Sequence, residues 1–267
     1  MSIFYADPSY PLVSPTDDDA IMLRRADATS ARAYLVQPKG YIDGLKLEWV
    51  SGTQVRITSG SAYVPGPKRI AELASSVTLT PALAASTWYH VYLTVVSGVV
   101  SAEAVTTVPA AAYYGTARAK TGDTSRRYVG SFKTTASGAI MNFRQGQNNF
   151  VAYLEAQGAA PTRVLNGGVA TVETQVSLAG IIPISSTQAQ IRILNFVTSP
   201  PGAYMLSGTP DDSASGPPLS GLSAVDPNKD AYLLHPTDLS QRITYWFAQA
   251  PTAGAGYIDV YGYFYDR

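Results

Sequence analysis

The chain has 267 residues, 46% of them hydrophobic, with 19 basic and 19 acidic side chains, 22 Gly, 18 Pro, 18 Tyr and no Cys. The balanced charge argues against nucleic acid as a partner, because a binder needs excess Lys and Arg to displace counterions. The lack of Cys excludes disulfides, thiolate metal sites and a thiol nucleophile.

Pro8, Pro11 and Pro15 make the stretch to about Pro38 irregular, since Pro neither donates to a ladder nor continues a helix. Within it the residues predict one short helix, Asp17 to Ala26. Thr16 or Asp17 caps it, Asp17-Asp18-Asp19 complements its positive end, and Arg24 and Arg25 its negative end. From Tyr41 the hydrophobic period becomes two. Leu45, Leu47 and Trp49 point one way and Lys46 and Glu48 the other; Ser51-Gly52-Thr53 turns the chain, and Val55 and Ile57 resume the alternation. Short strands follow around Tyr63 and at Val77 to Leu79.

Trp88 to Val96 is the clearest strand of this half, and Ser97-Gly98 turns it into its partner, Val99 to Val105. Pro109 to Ala119 is expected to be a helical or irregular crossover. Arg127 to Lys133 reads as a strand, with Ala139 to Phe143 returning beside it. The polar run Gln145-Gly146-Gln147-Asn148-Asn149 suggests a domain boundary between Phe143 and Pro161. Phe150 to Glu155 fits either a strand or a short linking helix. Further strands are predicted at 163–165, 169–178, 190–197, 203–206, 232–235, 242–248 and 257–265, with a surface loop rich in Ser, Gly, Pro and Asp from Ser207 to Asp230. The expected fold is all-β: two β-sandwich or jelly-roll-like domains, residues 41–145 and 146–267, behind an irregular N-terminal docking segment, residues 1–40.

Catalytic chemistry is sparse. His90 and His235 are the only histidines, which excludes a multi-histidine metal site within one chain. His90 reads as a structural strand histidine. His235 is followed by Asp238, but no G-x-S-x-G elbow accompanies them. No phosphate-binding glycine loop occurs. Glu48, Glu103, Glu155 and Glu173 read as solvated surface groups, not as a glycosidase pair. No cofactor, no metal and no catalytic residue is expected. Residues 1–8 lack the basic start and apolar core of a secretory signal, and no run approaches the roughly 18 apolar residues of a spanning helix.

The final strand carries the most information. If it is regular, Ile258, Val260, Gly262 and Phe264 occupy one face, suited to a core. Tyr257, Tyr261, Tyr263 and Tyr265 then occupy the other, interrupted by Asp259. Such a Tyr stripe packs under a loop of its own chain, forms a subunit interface, or binds a ligand such as sugar.

Trp88-Tyr89-His90-Val91-Tyr92-Leu93, the run from Pro109 through Tyr113-Tyr114-Gly115-Thr116 and Lys120-Thr121-Gly122-Asp123 to Arg126-Arg127-Tyr128-Val129-Gly130-Ser131-Phe132, and Ser137-Gly138-Ala139-Ile140-Met141-Asn142-Phe143 form one pattern. It resembles a module of tail-fibre, baseplate and other receptor-binding virion proteins of tailed bacteriophages, and covers about Tyr41 to Phe143. The resemblance implies a non-enzymatic structural component of the virion tail, made in the host cytoplasm without a signal peptide or membrane insertion. It further implies a homotrimer that contacts other tail or baseplate proteins and takes part in host attachment, with a host-surface glycan or protein as receptor. It carries over no catalytic residues. A carbohydrate-binding module fits the composition nearly as well, and a polysaccharide-degrading tail enzyme is the third reading.

Overall fold

The computed structural model describes residues 20–24, 30–34, 37–200, 203–210, 220–222 and 229–267. Among them there is no helix. The strands of the first half are β1 (Ala20–Arg24), β2 (Ser30–Tyr34), β3 (Ile42–Gly44), β4 (Leu47–Ser51), β5 (Gln54–Ile57), β6 (Gly60–Val64), β7 (Arg69–Leu73), β8 (Val77–Leu79), β9 (Trp88–Val96), β10 (Val99–Val105), β11 (Pro109–Tyr114), β12 (Ala117–Lys120), β13 (Asp123–Lys133) and β14 (Phe143–Gln145). Those of the second are β15 (Phe150–Tyr153), β16 (Arg163–Gly168), β17 (Thr174–Ser177), β18 (Ser186–Asn195), β19 (Met205–Gly208), β20 (Ser220–Leu222), β21 (Lys229–Pro236), β22 (Arg242–Phe247) and β23 (Gly256–Tyr265).

The all-β expectation holds, and every described pairing is antiparallel. A nine-stranded sheet runs β21-β18-β23-β15-β14-β4-β5-β8, with β16 also on β23. Its inner face carries Leu47, Val55, Ile57, Phe143, Val151, Ile191, Ile193, Ile258 and Val260, all buried in one hydrophobic cluster. The five-stranded sheet β10-β9-β13-β12-β11 covers part of that face, and the four-stranded sheet β17-β22-β19-β20 covers another. A Cβ on Gly130 of β13 would lie 2.9 Å from the Leu47 side chain, and one on Gly256 of β23 would meet Met205 and Phe247.

Four local expectations change once strand pairing is seen. The proposed helix at 17–26 is occupied at 20–24 by β1, which pairs with β2 from Ala20↔Tyr34 to Arg24↔Ser30; Asp17, Asp18, Asp19, Arg25 and Ala26 lie outside the described residues. Helix-capping signals are local preferences that a strand partner overrides. The crossover at 109–119 is instead the irregular hairpin β11–β12, turned at Gly115, whose φ of 55° suits glycine. The return strand expected at 139–143 makes only the bridge Thr134↔Ile140, and the chain moves on to β14. Within the loop expected from Ser207 to Asp230, β20 pairs with β19, and residues 211–219 and 223–228 lie outside the described residues.

The polar run read as a domain boundary is a hairpin turn inside the nine-stranded sheet. Asn148 and Asn149 both have left-handed φ, 53° and 59°, as a tight hairpin turn requires. The turn joins β14 to β15 in the register Gln145↔Val151; β14 also pairs with β4, and β15 with β23. The halves on either side of residue 145 therefore share a sheet and a core.

A second contact binds the halves. β13 has a bulge at Val129, between the pairs Tyr128↔Tyr92 and Gly130↔Val91. Its other edge is covered by β12 only as far as Arg127. Beyond that, Tyr265 donates its hydroxyl to the Val129 carbonyl at 3.0 Å and Tyr263 donates to the Ser131 carbonyl at 3.1 Å. Burial raises both hydroxyls, Tyr265 to about 12, so they remain protonated donors. Tyr265→Phe leaves the Val129 carbonyl without this donor and should cost about 1–3 kcal/mol. In urea titration, we expect a lower midpoint with an unchanged slope for Tyr265→Phe, and a larger drop for the double change with Tyr263→Phe.

Candidate functional site

The final strand is not regular. Along β18, the pairs Gln190↔Gly262 and Ile191↔Val260 skip Tyr261, which is an extra residue on β23. One inserted residue reverses the side-chain phase beyond it. Tyr263 and Tyr265 thus fall on the same inner face as Ile258 and Val260, at 1% and 3% exposure. Tyr257 and Tyr261 stay on the outer face, each partly exposed. The expected stripe of Tyr257, Tyr261, Tyr263 and Tyr265 is therefore split into two outer and two core residues. Phe264, expected in the core, is partly exposed on the outer face, its ring 4.8 Å from that of Phe150.

The outer face of β21, β18, β23 and β16 is where aromatic and ionic side chains gather. In the register, Tyr232 lies beside Arg192, which lies beside Asp259, which lies beside Arg163. Tyr232 is 57% exposed, with the Arg192 guanidinium 5.6 Å from its ring centroid and the Tyr261 ring 5.3 Å away, edge to face. Arg192 donates to the Asp230 carboxylate at 2.8 Å. The hydrogen bond with Tyr261 is the main cause that raises the Tyr232 hydroxyl above its ordinary value. On Arg192, burial opposes the charge, but hydrogen bonding to Tyr261 and the neighbouring Tyr232 and Asp230 hold the guanidinium above its ordinary value. Further along, Arg163 makes a two-pronged contact with Asp259, 2.8 and 3.0 Å, and lies 4.7 Å from the Tyr257 ring. Leu234, half exposed, follows Tyr232 on the same face.

This arrangement offers flat ring surface, fixed hydrogen-bonding groups and no unpaired charge in the Tyr232 cluster. Sequence reading found Tyr261 and Tyr257 but missed Tyr232, Arg192 and Asp230, which lie far apart in the chain. Only the alternation of Tyr232 with Leu233 and Leu234 with His235 hinted that Tyr232 and Leu234 share a face.

Except for Glu173, the residues that could serve catalysis are engaged in structural contacts. His90 is buried, its Nδ1 2.7 Å from Ser131 Oγ, and burial pushes its pKa from 6.5 down to about 4. His235 is buried with Nδ1 against the Pro236 carbonyl, while the Asp238 carboxylate accepts from the Ser240 and Arg242 amides and the Arg242 side chain. Glu48 pairs with Arg56, Glu103 pairs with Lys120 and Arg126, and Glu155 accepts from the Asn142 amide. Glu173 is exposed. Among the described residues no three His, Cys, Asp or Glu side chains are grouped to hold a metal ion, and no helix is long and apolar enough to cross a membrane.

No protein-family model matches the chain, and no curated protein matches it. Among solved structures, the chain is similar to the Bacteroides ovatus mixed-linkage glucan utilization locus protein SGBP-B in complex with a mixed-linkage heptasaccharide, at 11% identity and a TM-score of 0.23. The alignment covers 92% of this chain and 63% of that one. A likeness at that level carries no argument about function.

Two outcomes are expected. Tyr261→Ser should leave the thermal midpoint within about 2 °C of wild type, whereas Tyr263→Ser, which empties a buried site, should cost about 3 kcal/mol or more. The His90 shift also sets a pH dependence. The unfolded chain takes up the His90 proton near pH 6.5 and the folded chain only near pH 4. This contribution is therefore complete above pH 6.5 and drains away as pH falls to 4, by about 3 kcal/mol in all. Urea midpoints at pH 7 and 4.5 should converge more closely for His90→Gln than for wild type.

Proposed function

We propose that this chain is a non-enzymatic attachment protein that presents the outer face of β21, β18 and β23 to a host surface. The observation that carries the reading is the solvent-facing Tyr232–Arg192–Asp230–Tyr261 cluster, held rigid on one face of a sheet whose other face is closed by core. Exposed aromatic surface next to fixed polar groups is characteristic of binding faces, and a site built on paired strands needs little ordering on contact. The engagement of both histidines and of Glu48, Glu103, Glu155 and Asp238 in structural contacts supports a binding role over hydrolysis.

The setting we propose is the tail of a tailed bacteriophage, in a tail fibre or the baseplate, with the chain as a homotrimer docked on other tail proteins by residues 1–40. This part rests on the pattern between Tyr41 and Phe143. Its residues are used for folding: Arg126 pairs with Asp123 and Glu103, and the buried Arg127 donates to the Arg118 and Tyr128 carbonyls. Their role as a fold signature is compatible with a module reused among virion proteins.

Light scattering should give about three times 28.3 kDa. Fluorescent protein should adsorb to host cells, and Tyr232→Ala with Tyr261→Ala should reduce adsorption at least tenfold without changing the mass. Adsorption equal to wild type in the double variant would remove this face from attachment; a monomer at micromolar concentration would remove the trimer.

A further inference from the structure

Three features of the outer face bear on what chemistry it takes. The first is charge. In the Tyr232 cluster each guanidinium already has its own carboxylate, Arg192 with Asp230 and Arg163 with Asp259. Among the described residues of this cluster an acidic ligand would find no unpaired cation and would meet the partly exposed Asp230 carboxylate. The second is the position of the polar groups. Arg192 on β18 lies between Tyr232 on β21 and Tyr261 on β23, and reaches Asp230 on β21. Paired polar groups thus stand directly beside the exposed Tyr232 ring.

The third is the geometry of Tyr232. Arg192 lies over its ring and the Tyr261 ring packs against it at a steep angle, yet more than half of the residue remains in water. Such a ring is a platform with its orientation fixed before a ligand arrives, which limits the entropy lost on binding. The carbon-bound hydrogens of a sugar ring meet the electron-rich face of an aromatic ring well, and its hydroxyls need paired donors and acceptors at the rim. Arg192 and Asp230 supply these, with the Tyr261 hydroxyl beside them. Strands are about 4.8 Å apart, so the backbone span from β21 to β23 is about 10 Å, and the Tyr232 and Tyr261 rings meet across it.

From these features we infer that the ligand of this face is an uncharged saccharide, seated on Tyr232 with its hydroxyls on Arg192, Asp230 and Tyr261. This deepens the attachment reading and rests on it for the biological source of the glycan, though not for binding itself.

The full chain would be tested on an array of neutral and acidic oligosaccharides, followed by calorimetry on the best neutral hit. We expect binding to neutral members, with affinity changing less than about twofold between 50 and 500 mM NaCl, because no ionic contact is screened. Tyr232→Ala should weaken binding at least tenfold, Tyr232→Phe less than threefold, and Arg192→Gln at least fivefold, with circular dichroism confirming that each variant is folded. If Arg192→Gln fails to fold, Asp230→Asn serves as the rim variant, with the same loss expected. Binding confined to acidic members, a steep salt dependence, or Tyr232→Ala equal to wild type would each overturn the inference. Tyr232-dependent adsorption to cells without binding to any neutral glycan would overturn it in favour of a protein receptor while the attachment reading stands. Neutral-glycan binding without adsorption to the host would do the reverse.

Discussion

The structure depends on two tyrosine hydroxyls of the last strand meeting the backbone of a strand more than a hundred residues earlier. β13 bulges at Val129, and no described strand continues the ladder on its far edge past Arg127. A buried carbonyl without a donor is costly, and Tyr265 and Tyr263 supply the donors at Val129 and Ser131. The rings themselves fill the space between sheets, where they touch Tyr128, Tyr153 and Trp88. Gln145, from the hairpin that links the halves, donates to the Tyr265 hydroxyl and accepts from the Leu47 amide. Sheet continuity and hydroxyl bonding thus join the same pieces of chain twice.

One extra residue makes this possible. Without the bulge at Tyr261, Tyr263 and Tyr265 would face solvent, and Gly262 and Phe264 would face β13. With it, a single strand serves two partners: Ile258 and Val260 join the apolar core, while Tyr263 and Tyr265 bond to β13. The displaced residue is itself used, because Tyr261 projects outward to hold Tyr232 and Arg192. The interior contact between sheets and the exterior aromatic cluster therefore share one local irregularity. Two close approaches allow so little room that only glycine fits without rearrangement: Gly130 against Leu47 and Tyr265, and Gly262 against the Val151 carbonyl and the Phe150 ring.

The long sheet is closed by core on one face and carries partly exposed side chains on the other. The inner face supplies rigidity by burying apolar rings and β-branched side chains. The outer face can then carry aromatic rings in water without loss of the fold, since little of the core's burial energy comes from them. Its Arg192–Asp230 pair is partly exposed and contributes modestly to stability, so its value lies in fixing where polar groups stand.

The sequence by itself determined the class and much of the strand inventory. The alternation at Leu45–Trp49 and Trp88–Val96, with Gly-containing turns between, dictates antiparallel hairpins because side-chain period and turn chemistry are local properties. The hairpins β4–β5 and β9–β10 follow from it directly. The count of two histidines and no cysteine was legible too, because composition is read directly. Tertiary structure decided what local rules cannot encode. Asn148-Asn149 reads as a linker until both neighbours find partners in one sheet; Pro109 to Ala119 reads as a crossover until β13 offers an edge. The phase of the final strand depends on a register set by β18, and one bulge there exchanges core for surface. Tyr232, Arg192, Asp230 and Tyr261 come from three strands and become one site only when those strands lie side by side, because hydrogen-bonded neighbours in a sheet are chosen by topology and not by distance along the chain.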